Sequence, residues 1–532
     1  DPSQGSGTSG FLTKYTTDGN ALWARVFGRA DQEASDGDTL GYRVAVDAAG
    51  SPYVSGIFEG ETTFGQESPA TSQTLLSGET QDEFVAHYDA AGNFLWVKQP
   101  DESGGDVQGG FLSSDSPVEV VPMRLVYNDA AKAIILTGDF QGTLRLDDIT
   151  LNSGDARHAY IATIAPPHPL VISEFRFRGP DPDGAGAQAG ERDEFVELYN
   201  ESNAEIDLAG WALAALDTNG TPAVVFNFPT GASVSPRGHY LLGGADYSLG
   251  VTPDGTLNFD IPDGSGIALF YVGTTLNAST RVDAAGFASV TDALYREGMG
   301  LTPGGGITQD GQHSFVRKQN TGTPQDTGNN ENDFLFVSTN AAAYSGRVSA
   351  LGAPGPENKA SHVQRNAGLK ASLVDPQCAG FGASNSGCAR VRVGGAVPNG
   401  AYGTLALRRK FTNTTGAPVT ALRFRVVDIT TQNSPGFVSS HAILRVLSSG
   451  GATANGGTIT ITGATLEPTP AQPNGGGYNS ALAVALPGGG LADGDSINVE
   501  FLLGVEQNGS FRFYVNVEAI PGTESASAGS PS

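Results

Sequence analysis

Apolar and polar residues alternate along much of this chain in short runs. Leu422, Phe424 and Val426 fall on one side of an extended segment, Arg423 and Arg425 fall on the other, and Arg390 and Arg392 repeat the arrangement. Successive side chains of a strand point to opposite faces, so this alternation predicts half-buried β-strands. Turn residues interrupt the runs, as at Gly19-Asn20 and Gly92-Asn93, and predict hairpins. The whole reads as an all-β chain.

One hairpin phrase is written twice, YTTDGNALWARV at Tyr15–Val26 and YDAAGNFLWVKQ at Tyr88–Gln99, which sets Trp23 over Trp96 at an offset of 73. Both Trp residues are expected on a buried face. A second element, VAVDAAGSPYVSGIFEG at Val44–Gly60, recurs as VYNDAAKAIILTGDFQG at Val126–Gly142, with Gly56 over Gly138 and Phe58 over Phe140 at an offset of 82. A third copy of the first element begins at Ala159–Ile164. Recurrence at this period reads as propeller blades. The residues resemble the bacterial SBBP-type β-propeller repeat over about 11–165, departing from it at Lys132, where the turn glycine is expected. A closed propeller needs roughly four to eight blades, so the resemblance implies an incomplete propeller. The opening GTSGFLTKY reads as the closing strand of an earlier blade, which predicts either residues before Asp1 or pairing of this edge with another chain.

Past Pro166–Pro169 the chain carries DEFVELYN (Asp193–Asn200), IDLAGWAL (Ile206–Leu213), GQHSFVRK (Gly311–Lys318), DTGNNENDF (Asp326–Phe334) and LGAPGPEN (Leu351–Asn358). These five motifs, in this order, resemble the bacterial lamin tail domain over about 170–358. The resemblance implies an immunoglobulin-like β-sandwich with Trp211 in its core. It also implies a non-catalytic attachment module, of the kind that accompanies surface proteins and some nucleases. After a linker, residues 368–520 alternate again and predict a second antiparallel sandwich with a basic sheet face, assigned to no family. Residues 521–532 lack periodicity and read as a flexible tail.

The net charge of −26 is unevenly spread: 24 acidic residues against 9 basic in residues 1–165, 23 against 10 in 166–360, and 9 against 11 in 361–532. An acidic front repels phosphate and argues against nucleic acid as a partner. No apolar run is long enough to span a membrane, and Asp1-Pro2 does not open a signal peptide. Cys378 and Cys388 bracket a Gly/Ser-rich loop with no neighbouring His, which predicts a disulfide and an oxidising compartment.

Catalytic signatures are missing: there is no Gly-x-Ser-x-Gly elbow, His-Glu-x-x-His pair, Walker loop or dinucleotide fingerprint. Asp181, Asp183, Asp193 and Glu194 supply hard oxygens on one loop and are candidate calcium ligands. Arg390, Arg392, Arg423 and Arg425 form a candidate assembly face for an acidic neighbour. The expected function is a non-enzymatic structural or adhesive protein of a bacterial cell surface, able to form filaments or sheaths with copies of itself or with other surface proteins. The alternative is the glycan- or surface-binding accessory region of a secreted hydrolase or nuclease whose catalytic domain lies outside this chain.

Overall fold

The computed structural model describes residues 8–28, 38–47, 50–67, 72–77, 82–99, 124–128, 133–146, 149–164, 169–180, 193–278, 280–320, 323–374, 389–454, 457–488 and 490–521. Strands dominate them, and helix is confined to short turns such as Asn330–Asp333. They divide into two units, Asp1–His168 and Pro169–Ser532.

Among the described residues the first unit holds four antiparallel sheets, one of them the short hairpin of Glu61–Phe64 and Gln73–Leu76, and the other three carry the repeat. Strands β1 (Gly10–Tyr15) and β2 (Ala21–Phe27) pair as one hairpin. The middle sheet is a meander of β3 (Thr39–Val46), β4 (Pro52–Phe58), β5 (Asp82–Tyr88) and β6 (Phe94–Lys98). The third contains β7 (Arg124–Asn128), β8 (Ala133–Leu146) and β9 (Ile149–Ile164). Every residue of β4 and β5 is buried, because the middle sheet is covered on both faces. Leu12 and Phe27 of the first sheet pack on Val54, Phe84 and Tyr88. On the other face Tyr53, Val85 and Trp96 pack on Leu125, Ile134, Leu136 and Tyr160.

The repeat read from the sequence is a repeat in space. Gly56 pairs across the ladder with Phe84, and Gly138 pairs with Tyr160. At each glycine the aromatic ring lies where a Cβ would be, within 2.7 Å at Gly56 and 2.6 Å at Gly138, so only glycine fits beneath it. Trp96 is buried as expected. Trp23 is half-buried: its indole lies over Gly92 in the turn of the second copy and its Nε1 donates to the Ala90 carbonyl at 3.2 Å.

In the second unit, β10 (Leu170–Arg176), β11 (Phe195–Asn200), β14 (His239–Gly243), β17 (His313–Arg317) and β18 (Phe334–Ser338) make the centre of a seven-stranded sheet, in the order β14-β11-β10-β17-β18. Facing it is a four-stranded sheet of β12 (Ala212–Leu216), β13 (Pro222–Asn227), β15 (Gly266–Phe270) and β16 (Arg281–Gly286), in the order β13-β12-β15-β16. Leu170, Ile172, Phe175, Leu198, Trp211, Leu213 and Phe315 fill the space between them, so Trp211 is a core residue. This is the expected immunoglobulin-like sandwich.

The second sandwich contains β19 (Thr404–Asn413), β20 (Val419–Ile429), β21 (Ile459–Leu466), β22 (Ala481–Val484), β23 (Ser496–Gln507) and β24 (Phe513–Pro521). Strand β21 crosses between layers, pairing antiparallel with β22 and parallel with β23. Phe411, Leu422, Phe424, Val426 and Phe501 lie in the shared core. Both sandwiches finish a strand with the same polar staple. Asn200 donates to the carbonyls of Ala204 and Val234 while its Oδ1 accepts from Ser202, and Asn413 does the same with Ala417, Leu491 and Thr415. Each staple satisfies carbonyls that the ladder has left behind.

Candidate functional site

The outer face of the seven-stranded sheet is polar yet buried. A β-bulge between Ile172 and Glu174 interrupts the alternation of β10, so Ile172 and Phe175 both enter the core while Ser173 and Glu174 face outward. On β11, Val196 and Leu198 face the core, which turns Glu197 and Tyr199 the other way. Tyr199 pairs with His239 of β14. The second sandwich covers this face. Its apolar contribution is small: Tyr478 packs on Val316, Val337 and Ala350.

The rest of the junction is ionic. Arg423 of β20 stands opposite Glu518 of β24, and Arg425 stands opposite Asn516. Glu518 accepts from Arg423 Nε at 2.7 Å and from Arg425 Nε at 3.0 Å. Glu357, in the segment after Leu351, pairs with Arg423 through Oε1 and with Arg425 through Oε2 at 2.8 Å. Arg425 also donates to Asn479 Oδ1 at 2.9 Å, and Asn479 Nδ2 donates to Glu174 Oε2 at 2.9 Å. Glu174 accepts further from Ser314 Oγ at 2.6 Å and from the Gly355 amide at 3.1 Å. Glu197 accepts from Ser173 Oγ and, at 2.6 Å, from the Glu357 amide.

Glu357 and Glu518 thus pair with both guanidiniums, Glu174 is joined to Arg425 through Asn479, Glu197 is joined to Glu357 through its amide, and all six ionisable side chains are buried. The consequences separate the acids. Burial alone would raise the Glu357 carboxyl, but Arg423 and Arg425 overcome it and hold the group down at about 2. Glu197 goes the other way: burial, reinforced by the charges of Glu174 and Glu357, pushes it well above the usual range. Glu174 is also raised by burial, with its hydrogen bonds and Arg425 opposing. Burial opposes the Arg425 cation too, yet Glu357 and Glu518 raise it well above the ordinary guanidinium value. His239 is kept neutral by burial, its Nε2 3.6 Å from Glu357 Oε2.

Glu197, His239 and Glu357 come close enough to share an ion, and carboxylate with imidazole suits a divalent cation. Against that, both Glu357 oxygens already hold arginines, whose charge repels a metal. A cavity of about 40 Å³ borders Ser173, Glu197, His239 and Gln319. That is room for one or two waters, far below the roughly 300 Å³ of a small-molecule site. The arrangement therefore binds two sandwiches to each other and leaves no space for a substrate.

Of the residues expected from the sequence, Asp181, Asp183, Cys378 and Cys388 lie outside the described residues. Asp193 and Glu194 are buried within the first sandwich rather than gathered on an open loop. Asp193 Oδ1 accepts from the Ser248 amide, its carbonyl accepts from Arg176 Nε at 3.0 Å, and Glu194 Oε1 accepts from the Ile261 amide at 3.0 Å. The expected basic assembly face is corrected. Arg423 and Arg425 are 7% and 8% exposed, and their charge is matched inside the chain. Arg390 and Arg392 belong to a different strand, Arg390–Val393 on β19, where Arg392 donates to the Thr404 carbonyl at 3.0 Å. The four arginines do not share a face.

Sequence reasoning missed Glu174, Glu197, Glu357, Glu518 and Asn479. One signal was present: Asn516-Val517-Glu518 alternates with the opposite polarity to Arg423-Phe424-Arg425, as two neighbouring strands with complementary faces do.

Fold and junction define an all-β chain in which an immunoglobulin-like sandwich is locked to a second sandwich. The Lamin Tail Domain family model matches residues 163–288, which takes in β10 to β16. The last three sequence motifs lie beyond that match but in the same sandwich, where Arg317 is buried against Asp283 at 2.6 Å and Asn330 caps the Gly286 and Glu297 amides. Among solved structures, a DUF4876 family protein from Bacteroides thetaiotaomicron is similar over 49% of this chain and 84% of its own, at 14% identity and a TM-score of 0.23. No curated protein matches the chain. Among the described residues no helix is long and apolar enough to cross a membrane.

Proposed function

We propose that this chain is a non-enzymatic structural or adhesive protein of a bacterial cell surface, built from propeller-type blades in its first unit and a rigid pair of sandwiches in its second. The observation that carries the reading is the junction around Glu357, Arg423, Arg425 and Glu518. Its clustered ionisable groups are spent on one another, so they serve cohesion between domains rather than chemistry on a ligand. Support for blades comes from the repeated Gly56–Phe84 and Gly138–Tyr160 pairs and from a middle sheet covered on both faces. A disulfide between Cys378 and Cys388 belongs to the same proposal, since an extracellular location permits it.

The test is protease shaving of intact source cells, followed by mass spectrometry of the released peptides. Peptides of this chain should appear before lysis. Their confinement to the cytoplasmic fraction, or turnover of a polysaccharide or nucleic acid by the purified chain, would overturn the proposal.

A further inference from the structure

Three of the sheets of the first unit, those holding β1, β5 and β9, present the same positions three times, and their burial differs in a regular way. Phe11, Phe84 and Tyr160 are equivalent residues of β1, β5 and β9, as are Leu12, Val85 and Ile161 one step further on. Phe84 and Tyr160 are 0% and 4% exposed because each faces the preceding sheet, whereas Phe11 is 75% exposed. The following position shows the reverse. Leu12 and Val85 are 7% and 0% exposed beneath the next sheet, whereas Ile161 is 77% exposed.

Neighbours extend both patches. Val26, directly opposite Phe11, is exposed, and so is Tyr15, whose equivalent Tyr88 is fully buried. Val126 is exposed on the same face of the third sheet as Ile161. The leading face of the first sheet and the trailing face of the third are therefore the two halves of a contact that the chain already makes twice within itself.

We propose that these halves meet between copies: the trailing face of one chain, around Ile161 and Val126, packs on the leading face of a second, around Phe11, Tyr15 and Val26. This names the surface through which the structural protein proposed above assembles, and it rests on that reading. The polar positions agree with it. Tyr160 bonds Glu83 at 2.5 Å in one internal contact. The position of Glu83 is taken by Gly10 in the first sheet and by Ala159 in the third, so Phe84 and Phe11, which lack the hydroxyl, fall opposite small residues. That position therefore brings no carboxyl to be buried unpaired between copies. Because the two faces differ, the contact is heterologous and yields open filaments or rings. Being apolar, it persists in salt that would screen a charge-steered assembly.

Sedimentation velocity of the full chain tests it across concentration at low and high salt, with Phe11→Asp and Ile161→Asp as variants. Both sites are exposed, so the variants should keep the wild-type circular dichroism spectrum and melting curve. Wild type should form species larger than dimers, and each variant alone should be monomeric. An equimolar mixture of the two variants should give one-to-one dimers, since each keeps one intact face. A wild type that stays monomeric at high concentration would sink the proposal while leaving cell-surface location to the shaving experiment. Association that both variants retain would sink it equally.

Discussion

Replacing Glu357 by glutamine removes one charge from the centre of the junction and keeps its volume and its amide, which still donates to Glu197. The carboxyl is held at about 2, against an ordinary 4.5, while 2% exposed. At about 1.4 kcal/mol per pH unit, that difference is worth about 3 kcal/mol at neutral pH. A second route agrees: breaking one partner of a buried ion pair typically costs roughly 3–5 kcal/mol, and here Arg423 and Arg425 would keep Glu518 as their close acidic partner. The sign follows from the depressed carboxyl. Its contribution is complete above about pH 4.5 and fades as the pH falls toward 2. Hydrogen exchange on peptides covering β11 and β20, read as opening free energies, should show Glu357→Gln about 3 kcal/mol less protected at pH 7 and less than half that at pH 3. A loss below about 1 kcal/mol at pH 7, or a gap that stays constant with pH, would refute the assignment of Glu357 as the ionised centre.

Glu197→Gln should behave in the opposite sense. Because its carboxyl is raised, the wild type loses stability as the pH climbs from 4.5, so the variant should gain on it as the pH rises, and a difference by urea titration that does not move with pH would refute the charge assignment. Gly56→Ala should destabilise the first unit more than Gly138→Ala, since its Cβ would sit 1.9 Å from the Leu40 carbonyl oxygen whereas the nearest atoms at Gly138 belong to the Tyr160 ring; overpacking of this kind costs about 1–3 kcal/mol, and exchange on β5 and β9 showing the reverse order would count against the repeat. Alkylation of the unreduced chain followed by intact-mass analysis should label neither Cys378 nor Cys388, a bond worth about 2–3 kcal/mol for so short a loop.

Much of the fold could be read from local pattern because strands and turns are local. Alternation placed Leu422, Phe424 and Val426 in a core and set Arg423 and Arg425 apart, and that division holds. The offset of 82 placed Gly56 over Gly138 and found a shared packing device. What alternation does not encode is the neighbour that covers the second face of a sheet. Arg423 meets Glu518 across 95 residues of sequence, and Asn479 meets Glu174 across 305. A polar stripe bound for such a partner looks the same as one bound for water. The bulge at Ile172 and Glu174 hides the site further, because it breaks the period that would have shown Glu174 pointing outward.

An ionic junction also answers a geometric need. Apolar contact between the sandwiches rests on Tyr478 and a few aliphatic groups, and such contact is tolerant of sliding. Ion pairs are not. A shift of one strand residue, about 3.3 Å, would part Glu357 from one arginine and Asn479 from Glu174, leaving buried charge uncompensated at several kcal/mol per ion. Alternatives are few, since Glu518 moves with the arginines on the neighbouring strand while both of them would abandon Glu357 at once. The junction therefore sets the relative orientation of the two sandwiches more firmly than it adds to their stability. A fixed orientation is what a repeating surface structure requires of its subunits.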